Sequence, residues 1–335
     1  MKKTVSFSRR STNVFFHILT RCNLRCSHCY INVKQHGDQT LSLATITEWL
    51  KLLYEPEKPT NLILLGGEPT MHPDLAGAVK AARQMGYASI TVDTNGYLFH
   101  DILDRVTPSD VDYFSFSLDG ATAATNDAIR GAGCYDRCVA GIRAAVEKGF
   151  ATSLIYTVSR QNLDELPEMV SLLTDLGVDR FFIQVIGIRG RSAEAGSQAL
   201  QLSRDEWENR VPPVAEQAAE KGITVTYPKV FLDAGEPFEC AGNVADNYFI
   251  FPNGRVYRCP LCEDYPLHSF QIDSGRLVRT GKINESDLFG LEIAEGCVIN
   301  KLVQSGNLEY RPDGVPAYKI ACCLLKEEAA GSRNE

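Results

Sequence analysis

The chain has 335 residues, of which 44% are hydrophobic and 23% charged, and its formal net charge is −8; this ordinary globular composition suffices for one large domain and a smaller one. The acidic balance does not support a nucleic-acid-binding surface, which is normally basic, and no apolar run approaches the ~20 residues that a membrane span needs. Because no apolar secretory segment precedes the first strand, we expect a cytoplasmic protein with reduced thiols that binds neither nucleic acid nor membrane.

Strand-like and helical segments alternate through the first two thirds of the chain. The strand-like segments lie at 14–19, 61–65, 89–93, 113–118, 152–158 and 180–186. The helical patterns lie at 43–54, 75–85, 101–106, 134–148, 163–176 and 204–221. This alternation indicates βαβ units and a parallel sheet. Six such units fit in residues 13–222, whereas a complete eight-unit barrel needs about 250 residues.

Three cysteines, Cys22, Cys26 and Cys29, share the short loop that follows the first strand. Thiolates hold iron–sulfur clusters, and three local thiolates leave one iron of a four-iron cluster open to another ligand. That open position favours an enzyme over a simple electron carrier. A zinc site of three cysteines and His28 is an alternative, although structural zinc sites usually close with pair-type spacings.

Glycines, polar residues and one valine stand at the ends of the later strands. They are Gly66, Gly67 and Glu68 after the second strand, Asn95 after the third, Ser117 and Asp119 after the fourth, and Val185 after the sixth. In parallel α/β barrels the chemistry lies at the carboxyl ends of the strands, as does the cysteine loop here. Ordinary turns at the Gly-Gly and Asn-Gly pairs, and core packing of Val185, are the alternatives.

At these residues the chain resembles the radical S-adenosylmethionine (SAM) superfamily. The Cys22-x3-Cys26-x2-Cys29 loop followed by Tyr30 is that superfamily's signature, and Gly66-Gly67-Glu68-Pro69 matches its GGEP motif. The resemblance implies a partial (β/α)6 TIM-like barrel and a 4Fe–4S cluster whose open iron binds SAM. Reductive cleavage of SAM would then give a 5′-deoxyadenosyl radical that abstracts a substrate hydrogen.

The resemblance also implies which residues contact SAM. Gly66, Gly67 and Glu68 would meet its amino group, the backbone at Tyr30 and the side chain of Val185 its adenine, and Ser117 and Asp119 its ribose or carboxylate, with Asn95 in the same site. Asp119 is alternatively a substrate-facing group. Arg130, in an Arg-Gly turn after the fourth strand, is a candidate for binding a carboxylate or a plain surface residue.

The sequence pattern changes after residue 222. Two hairpins are predicted, at 248–257 around Asn253-Gly254 and at 269–280 around Ser274-Gly275. Six of the eleven cysteines lie in this last part of the chain: Cys240, Cys259, Cys262, Cys297, Cys322 and Cys323. So many cysteines in a reducing compartment favour metal ligands, whereas Cys134 and Cys138 on a predicted helix are interpreted as core or surface thiols.

The spacing Cys240-x13-Gly254-x4-Cys259 resembles the opening of the SPASM and Twitch extensions of radical SAM enzymes. The chain departs from that pattern afterwards, because Cys297 stands alone and Cys322 and Cys323 are adjacent. Six cysteines do not complete two four-iron clusters, so the resemblance implies one auxiliary cluster. Its predicted ligands are Cys240, Cys259, Cys262 and Cys323, with Cys297 or Cys322 as alternatives to the last and zinc as the alternative metal.

The expected organisation is an N-terminal arm at 1–12, a barrel at 13–222, an auxiliary iron–sulfur domain at 223–326 and a tail at 327–335. The resemblance implies a radical SAM oxidoreductase that receives electrons from a flavodoxin or ferredoxin and modifies an unidentified peptide or small molecule. Its catalytic residues beyond the cofactor ligands are not identified. The alternative is a non-catalytic iron–sulfur protein for electron transfer or cluster assembly.

Overall fold

The computed structural model describes residues 2–99, 101–194 and 200–331, and these residues form fifteen β-strands and eleven α-helices. The strands are β1 (Lys2–Val5), β2 (Thr12–His17), β3 (Thr60–Leu65), β4 (Ser89–Thr94), β5 (Tyr113–Ser117), β6 (Thr152–Val158), β7 (Arg180–Val185), β8 (Thr224–Pro228), β9 (Phe231–Asp233), β10 (Asp246–Ile250), β11 (Arg255–Tyr257), β12 (Phe270–Asp273), β13 (Arg276–Arg279), β14 (Tyr318–Ile320) and β15 (Lys326–Ala329). The helices are α1 (Val33–His36), α2 (Leu43–Leu53), α3 (Leu75–Met85), α4 (Ile102–Arg105), α5 (Ala123–Arg130), α6 (Cys134–Glu147), α7 (Met169–Leu176), α8 (Arg191–Glu194), α9 (Arg204–Glu220), α10 (Ala241–Val244) and α11 (Asn300–Val303).

Thirteen of the strands form one sheet, in the order β1-β15-β8-β7-β6-β5-β4-β3-β2-β10-β11-β12-β13. Strands β2 to β7 run parallel in chain order, which confirms the predicted α/β fold built from six βα units. The parallel part extends further than predicted, because β8 pairs parallel with β7 and β10 pairs parallel with β2. All these strands therefore present their carboxyl ends at one edge of the sheet.

The packing of β2 against α2 illustrates why the apolar segments fold this way. Alternate residues of β2, Val14 and Phe16, are fully buried, as a strand with two different faces requires. Ser42 caps α2 by accepting a hydrogen bond from the backbone of Thr45 at 3.1 Å, and Trp49 of α2 stacks on Phe16 with ring centroids 5.9 Å apart. Burying each such side chain contributes about 1.5–3 kcal/mol.

Both ends of the described chain lie in the sheet, which corrects the expected arm and tail. Strand β1 pairs antiparallel with β15, and β15 pairs antiparallel with β8. Charged side chains face one another across this edge, as Lys3 and Glu328 do at 2.8 Å. Pairing satisfies backbone groups that a free arm would leave to water. Residues 332–335 of the expected tail lie outside the described residues.

The two predicted hairpins are confirmed as β10–β11 and β12–β13. Gly254 adopts a φ of 80° in the first turn, and Ser274 and Gly275 have positive φ in the second. Together these strands continue the barrel sheet beyond β2. Among the described residues, no helix is long and apolar enough to cross a membrane.

Candidate functional site

A cavity of about 390 Å³ lies at the carboxyl ends of the parallel strands. Its wall includes the three loop cysteines, the ends of β3 to β7, and residues from the last part of the chain. The predicted site residues among its lining are Cys22, Cys26, Cys29, Tyr30, Gly66, Gly67, Glu68, Asn95, Ser117, Val185 and Cys323. The fold thus brings residues far apart in the sequence to one place.

The loop that carries Cys22, Cys26 and Cys29 is held from two sides. The backbone N–H of Ser27 donates to Ile129 at the end of α5, and that of Arg191 donates to the Cys29 carbonyl at 3.0 Å. A Cβ at Gly190 would stand 2.4 Å from that carbonyl oxygen, and the φ of Gly190 is +55°. The segment after β7 therefore clamps the cysteine loop, and the glycine permits the close approach.

The three loop thiols share the wall of this cavity. Burial raises the pKa of Cys22 to about 12, and the other two thiols contribute to this shift. Such a thiol ionises only when a cation binds it. Among the described side chains, no three of His, Cys, Asp or Glu are arranged to hold a single metal ion. Three thiols on one cavity wall are a donor set that fits an iron–sulfur cluster.

Gly66 and Gly67 follow β3 and pack against the segment that leads from β2 into the cysteine loop. A Cβ on Gly67 would lie 2.1 Å from the carbonyl oxygen of Arg21, and one on Gly66 would lie 2.6 Å from the Leu19 side chain. The backbone N–H groups of Gly67 and Glu68 donate to Leu19 and Arg21 at 3.0 and 2.9 Å. Only glycine fits at these two positions, because a side chain would collide with the segment that precedes the cysteine loop.

Glu68 is buried and connects the ends of β3 and β4. One carboxylate oxygen accepts hydrogen bonds from Thr70 and Thr94, and the other accepts from the backbone N–H of Asn95 at 2.7 Å. Burial raises the pKa of Glu68, while these hydrogen bonds oppose the rise. The Asn95 amide in turn lies 3.7 Å from the Cys22 sulfur. Glu68 thereby positions Asn95 against the cysteine loop.

Asp93 in β4 is a second acidic residue of this wall, and the sequence analysis missed it. Burial raises its pKa to about 7, although a hydrogen bond with Ser115 opposes the rise. Neither Asp93 nor Glu68 forms an ion pair with any described residue. Two buried carboxyl groups without a cation suit a positively charged ligand, and SAM carries a sulfonium and an ammonium group. The sequence signal that could have identified Asp93 is its position near the end of a strand, directly before Thr-Asn-Gly.

Asp119 is fully buried and is not among the residues that line the cavity, and its predicted contact with SAM or substrate stays a prediction. One carboxylate oxygen is 2.6 Å from Nε2 of His28 and 2.6 Å from Nε of Arg130, and the other accepts from the backbone of Thr157. Burial would raise the pKa of Asp119, but Arg130 and His28 outweigh it and lower the pKa to about 2. Asp119 therefore positions two side chains that do line the cavity. Arg130, a candidate for binding a carboxylate, is paired with the carboxylate of Asp119 within the protein.

Tyr30 lines the cavity together with His17 and Arg189. Its hydroxyl lies 2.8 Å from Nε2 of His17, and the Arg189 guanidinium lies 4.7 Å from the centre of its ring. Arg189 is also 3.2 Å from a carboxylate oxygen of Glu263. Ser117 and Val185 line the cavity at the ends of β5 and β7. Their contacts with SAM, and that of the Tyr30 backbone, stay predictions.

The six C-terminal cysteines come together beside this cavity. Cys259, Cys262, Cys297 and Cys323 share one packed cluster. The thiols of Cys240 and Cys322 interact with each other and with the thiol of Cys259. Cys297, which is isolated in the sequence, lies close to the others in space: its backbone N–H donates to the carbonyl of Ile320 at 3.0 Å, which places it beside Cys322. Cys134 and Cys138, by contrast, are buried in the body of the fold.

Comparison with known proteins agrees with this geometry. Residues 16–173 match the family model described as the Radical SAM superfamily. The chain is 36% identical over 181 residues to pre-heme d1 synthase of Dinoroseobacter shibae, a match that covers 53% of this chain and 44% of that protein. It is 29% identical over 257 residues to PqqA peptide cyclase of Gluconobacter oxydans, covering 75% and 70%. The first match thus spans less than half of that relative's length.

The fold is also similar to that of SuiB from Streptococcus suis, in a crystal structure bound to S-adenosylmethionine. The TM-score is 0.63 at 15% sequence identity, and the alignment covers 80% of this chain and 64% of SuiB. At this identity the likeness concerns the fold alone. It supports the assignment of the parallel sheet as a TIM-barrel-like architecture.

Proposed function

We propose, on the premise that this chain is a radical SAM protein through residues 16–173, that it cleaves SAM reductively and abstracts a hydrogen atom from an organic substrate. The observation that carries the proposal is the wall of three thiols facing a cavity that also contains the buried carboxyl groups of Glu68 and Asp93. Thiols suit the cluster, and carboxyl groups suit the cationic cofactor. Cytoplasmic reducing conditions would keep the thiols available.

The residues take separate roles in this proposal. Cys22, Cys26 and Cys29 would hold a 4Fe–4S cluster, which when bound supplies the electron that converts SAM to methionine and a 5′-deoxyadenosyl radical. Glu68 and Asp93 balance the positive charge of SAM. Ile155 and Val185, which line the cavity, keep water from the reacting groups.

The C-terminal cysteines would hold one auxiliary 4Fe–4S cluster. Two observations support this: the six thiols converge, and Cys323 lines the same cavity as the loop cysteines. The predicted set of Cys240, Cys259, Cys262 and Cys323 stays a prediction, and the position of Cys297 makes it a further candidate ligand. An auxiliary centre on the cavity wall would bind the substrate or accept an electron from its radical.

A flavodoxin or ferredoxin is the reductant that we propose, because cleavage of SAM consumes a low-potential electron. A surface pocket of about 260 Å³ next to the C-terminal cysteines supports a partner of this kind. It is lined by Arg9, Arg258 and Arg279, although the chain as a whole is acidic. Cationic residues of this kind would guide an acidic electron carrier to the surface near Cys240 and Cys259.

The substrate class is open between a peptide and a small molecule. One relative is named for a peptide and another for a heme precursor, so the comparisons favour neither. The alternative of a non-catalytic iron–sulfur protein has no observation of its own in its favour, and it makes a different prediction about SAM.

The test is formation of 5′-deoxyadenosine by anaerobically reconstituted protein that receives SAM and dithionite. We expect the wild type to form 5′-deoxyadenosine and methionine, and Cys26→Ala to form none. Cys134→Ala is the matched control, since it removes a buried thiol outside the loop and should retain activity. Equal product from Cys26→Ala, or none from a wild type that contains iron, would reject the proposal.

A further inference from the structure

Lys326, the first residue of β15, lines the cavity. Its ammonium donates a hydrogen bond to the carbonyl oxygen of Cys323 at 3.0 Å and lies 4.6 Å from the centre of the Phe182 ring. In the sheet, β15 is separated from β4, which carries Asp93, by β5, β6, β7 and β8. Lys326 and Asp93 therefore enter the cavity from strands that are not neighbours in the sheet.

Lys326 differs from the other cations of the cavity wall in having no carboxylate partner. Arg130 is 2.6 Å from Asp119, and Arg189 is 3.2 Å from Glu263. For Lys326 no carboxylate of the described chain lies within ion-pair distance. A partly desolvated ammonium without a counterion is costly, so the protein retains a charge that a ligand of opposite sign would compensate.

Two other residues of the cavity wall supply further hydrogen-bonding groups. Thr157 of β6 and Gln184 of β7 are paired in the sheet, and both line the cavity. Within the described part of the chain neither side chain has a hydrogen-bond partner. Lys326 pairs with Pro228 at the end of β8, the next strand. An ammonium on β15, an amide N–H on β7 and a hydroxyl on β6 thus line one cavity, with β8 between β15 and β7, as donors for an acceptor-only group.

We propose that this end of the cavity binds a carboxylate group of the substrate, with Lys326 as its counterion. The inference rests on the proposed function, because it takes the cavity as the place of reaction. It gives the cavity an electrostatic direction: the cationic cofactor lies by Asp93 and Glu68, and the anionic end of the substrate lies by Lys326. A substrate bound this way would span the space between the two groups of cysteines.

The competing explanation is that Lys326 compensates the charge of the neighbouring thiols. Burial lowers the pKa of Lys326, and the nearby thiols of Cys323 and Cys322 oppose this shift. In that case removal of the lysine would change the auxiliary cluster and leave carboxylate binding unchanged. The two explanations therefore predict different measurements.

The experiment is calorimetric titration of the anaerobically reconstituted, SAM-loaded holoenzyme with two carboxylate probes, glutarate and acetyl-Gly-Glu-Gly-amide. Their neutral counterparts, glutaramide and acetyl-Gly-Gln-Gly-amide, are the ligand controls. We expect a carboxylate probe to bind the wild type and Lys326→Arg, and Lys326→Met to bind it about tenfold or more weakly. Lys229→Met is the matched variant, because Lys229 is ion-paired with Glu236 at 2.6 Å and does not line the cavity.

Binding of glutarate alone would identify a small-molecule acid, and binding of the peptide alone a carboxylate within a peptide. The inference is overturned if neither probe binds, if the neutral amides bind equally, or if Lys326→Met keeps full affinity. A shifted reduction potential of the auxiliary cluster in Lys326→Met with unchanged probe binding would assign Lys326 to the thiols and also overturn it. Because titration needs no turnover, absence of 5′-deoxyadenosine would reject the proposed function separately.

Discussion

Replacing Asp119 by Asn tests the internal ion pair on which the cavity wall depends. Asp119 is fully buried and Arg130 is only 8% exposed, so the substitution leaves a guanidinium without its counterion. Removing one partner of a buried pair costs about 3–5 kcal/mol. The pKa of Asp119, about 2 against an ordinary 3.8, independently corresponds to about 2 kcal/mol. We therefore expect Asp119→Asn to lower the free energy of unfolding by about 2–5 kcal/mol.

The assay is urea unfolding of the anaerobic protein at neutral pH, followed by circular dichroism. Asp164→Asn is the control: Asp164 pairs with Arg210 at 3.1 Å, but its side chain is 96% exposed, so its loss should cost under about 1 kcal/mol. Since the pKa of Asp119 is depressed by folding, its contribution is present above about pH 4. It is lost as pH falls towards 2. A loss for Asp119→Asn no larger than that of Asp164→Asn would refute the reasoning.

Three further predictions concern the cofactors and the reductant. Cys297→Ala, made in a variant that lacks the three loop cysteines, should lose the remaining iron, whereas Cys134→Ala should keep it; retention in both would exclude Cys297 as a ligand. Asp93→Asn should weaken SAM binding, measured by equilibrium dialysis, about tenfold. Because the pKa of Asp93 is about 7, wild-type affinity should increase as pH rises through that value, and an equally steep pH profile in the variant would contradict the role. Arg279→Glu should slow reduction by flavodoxin but not by dithionite, and equal effects on both would contradict the docking surface.

Local sequence signals were sufficient for the six strands of the barrel, for the two hairpins and for the position of the first group of thiols. The cysteine loop follows β2 within a few residues, and periodicity alone located six parallel strands and two hairpins. Short spacings of this kind report on neighbours along the chain, which are also neighbours in space. The pairing of β1 with β15 was missed, because the register of two strands more than 300 residues apart has no local signature.

The motifs by themselves predicted three metal-binding thiols at the carboxyl edge of a parallel α/β sheet, and the structure places these thiols at that edge. Only the tertiary structure decided what each polar residue there faces. Asp93 lies near the end of β4 and Asp119 just after β5, yet Asp119 is held by Arg130 and His28, whereas Asp93 lines the cavity and pairs with no cation among the described residues. Lys326 enters the same cavity from the far end of the chain. Charge compensation depends on distances across the fold, and sequence spacing does not encode those distances.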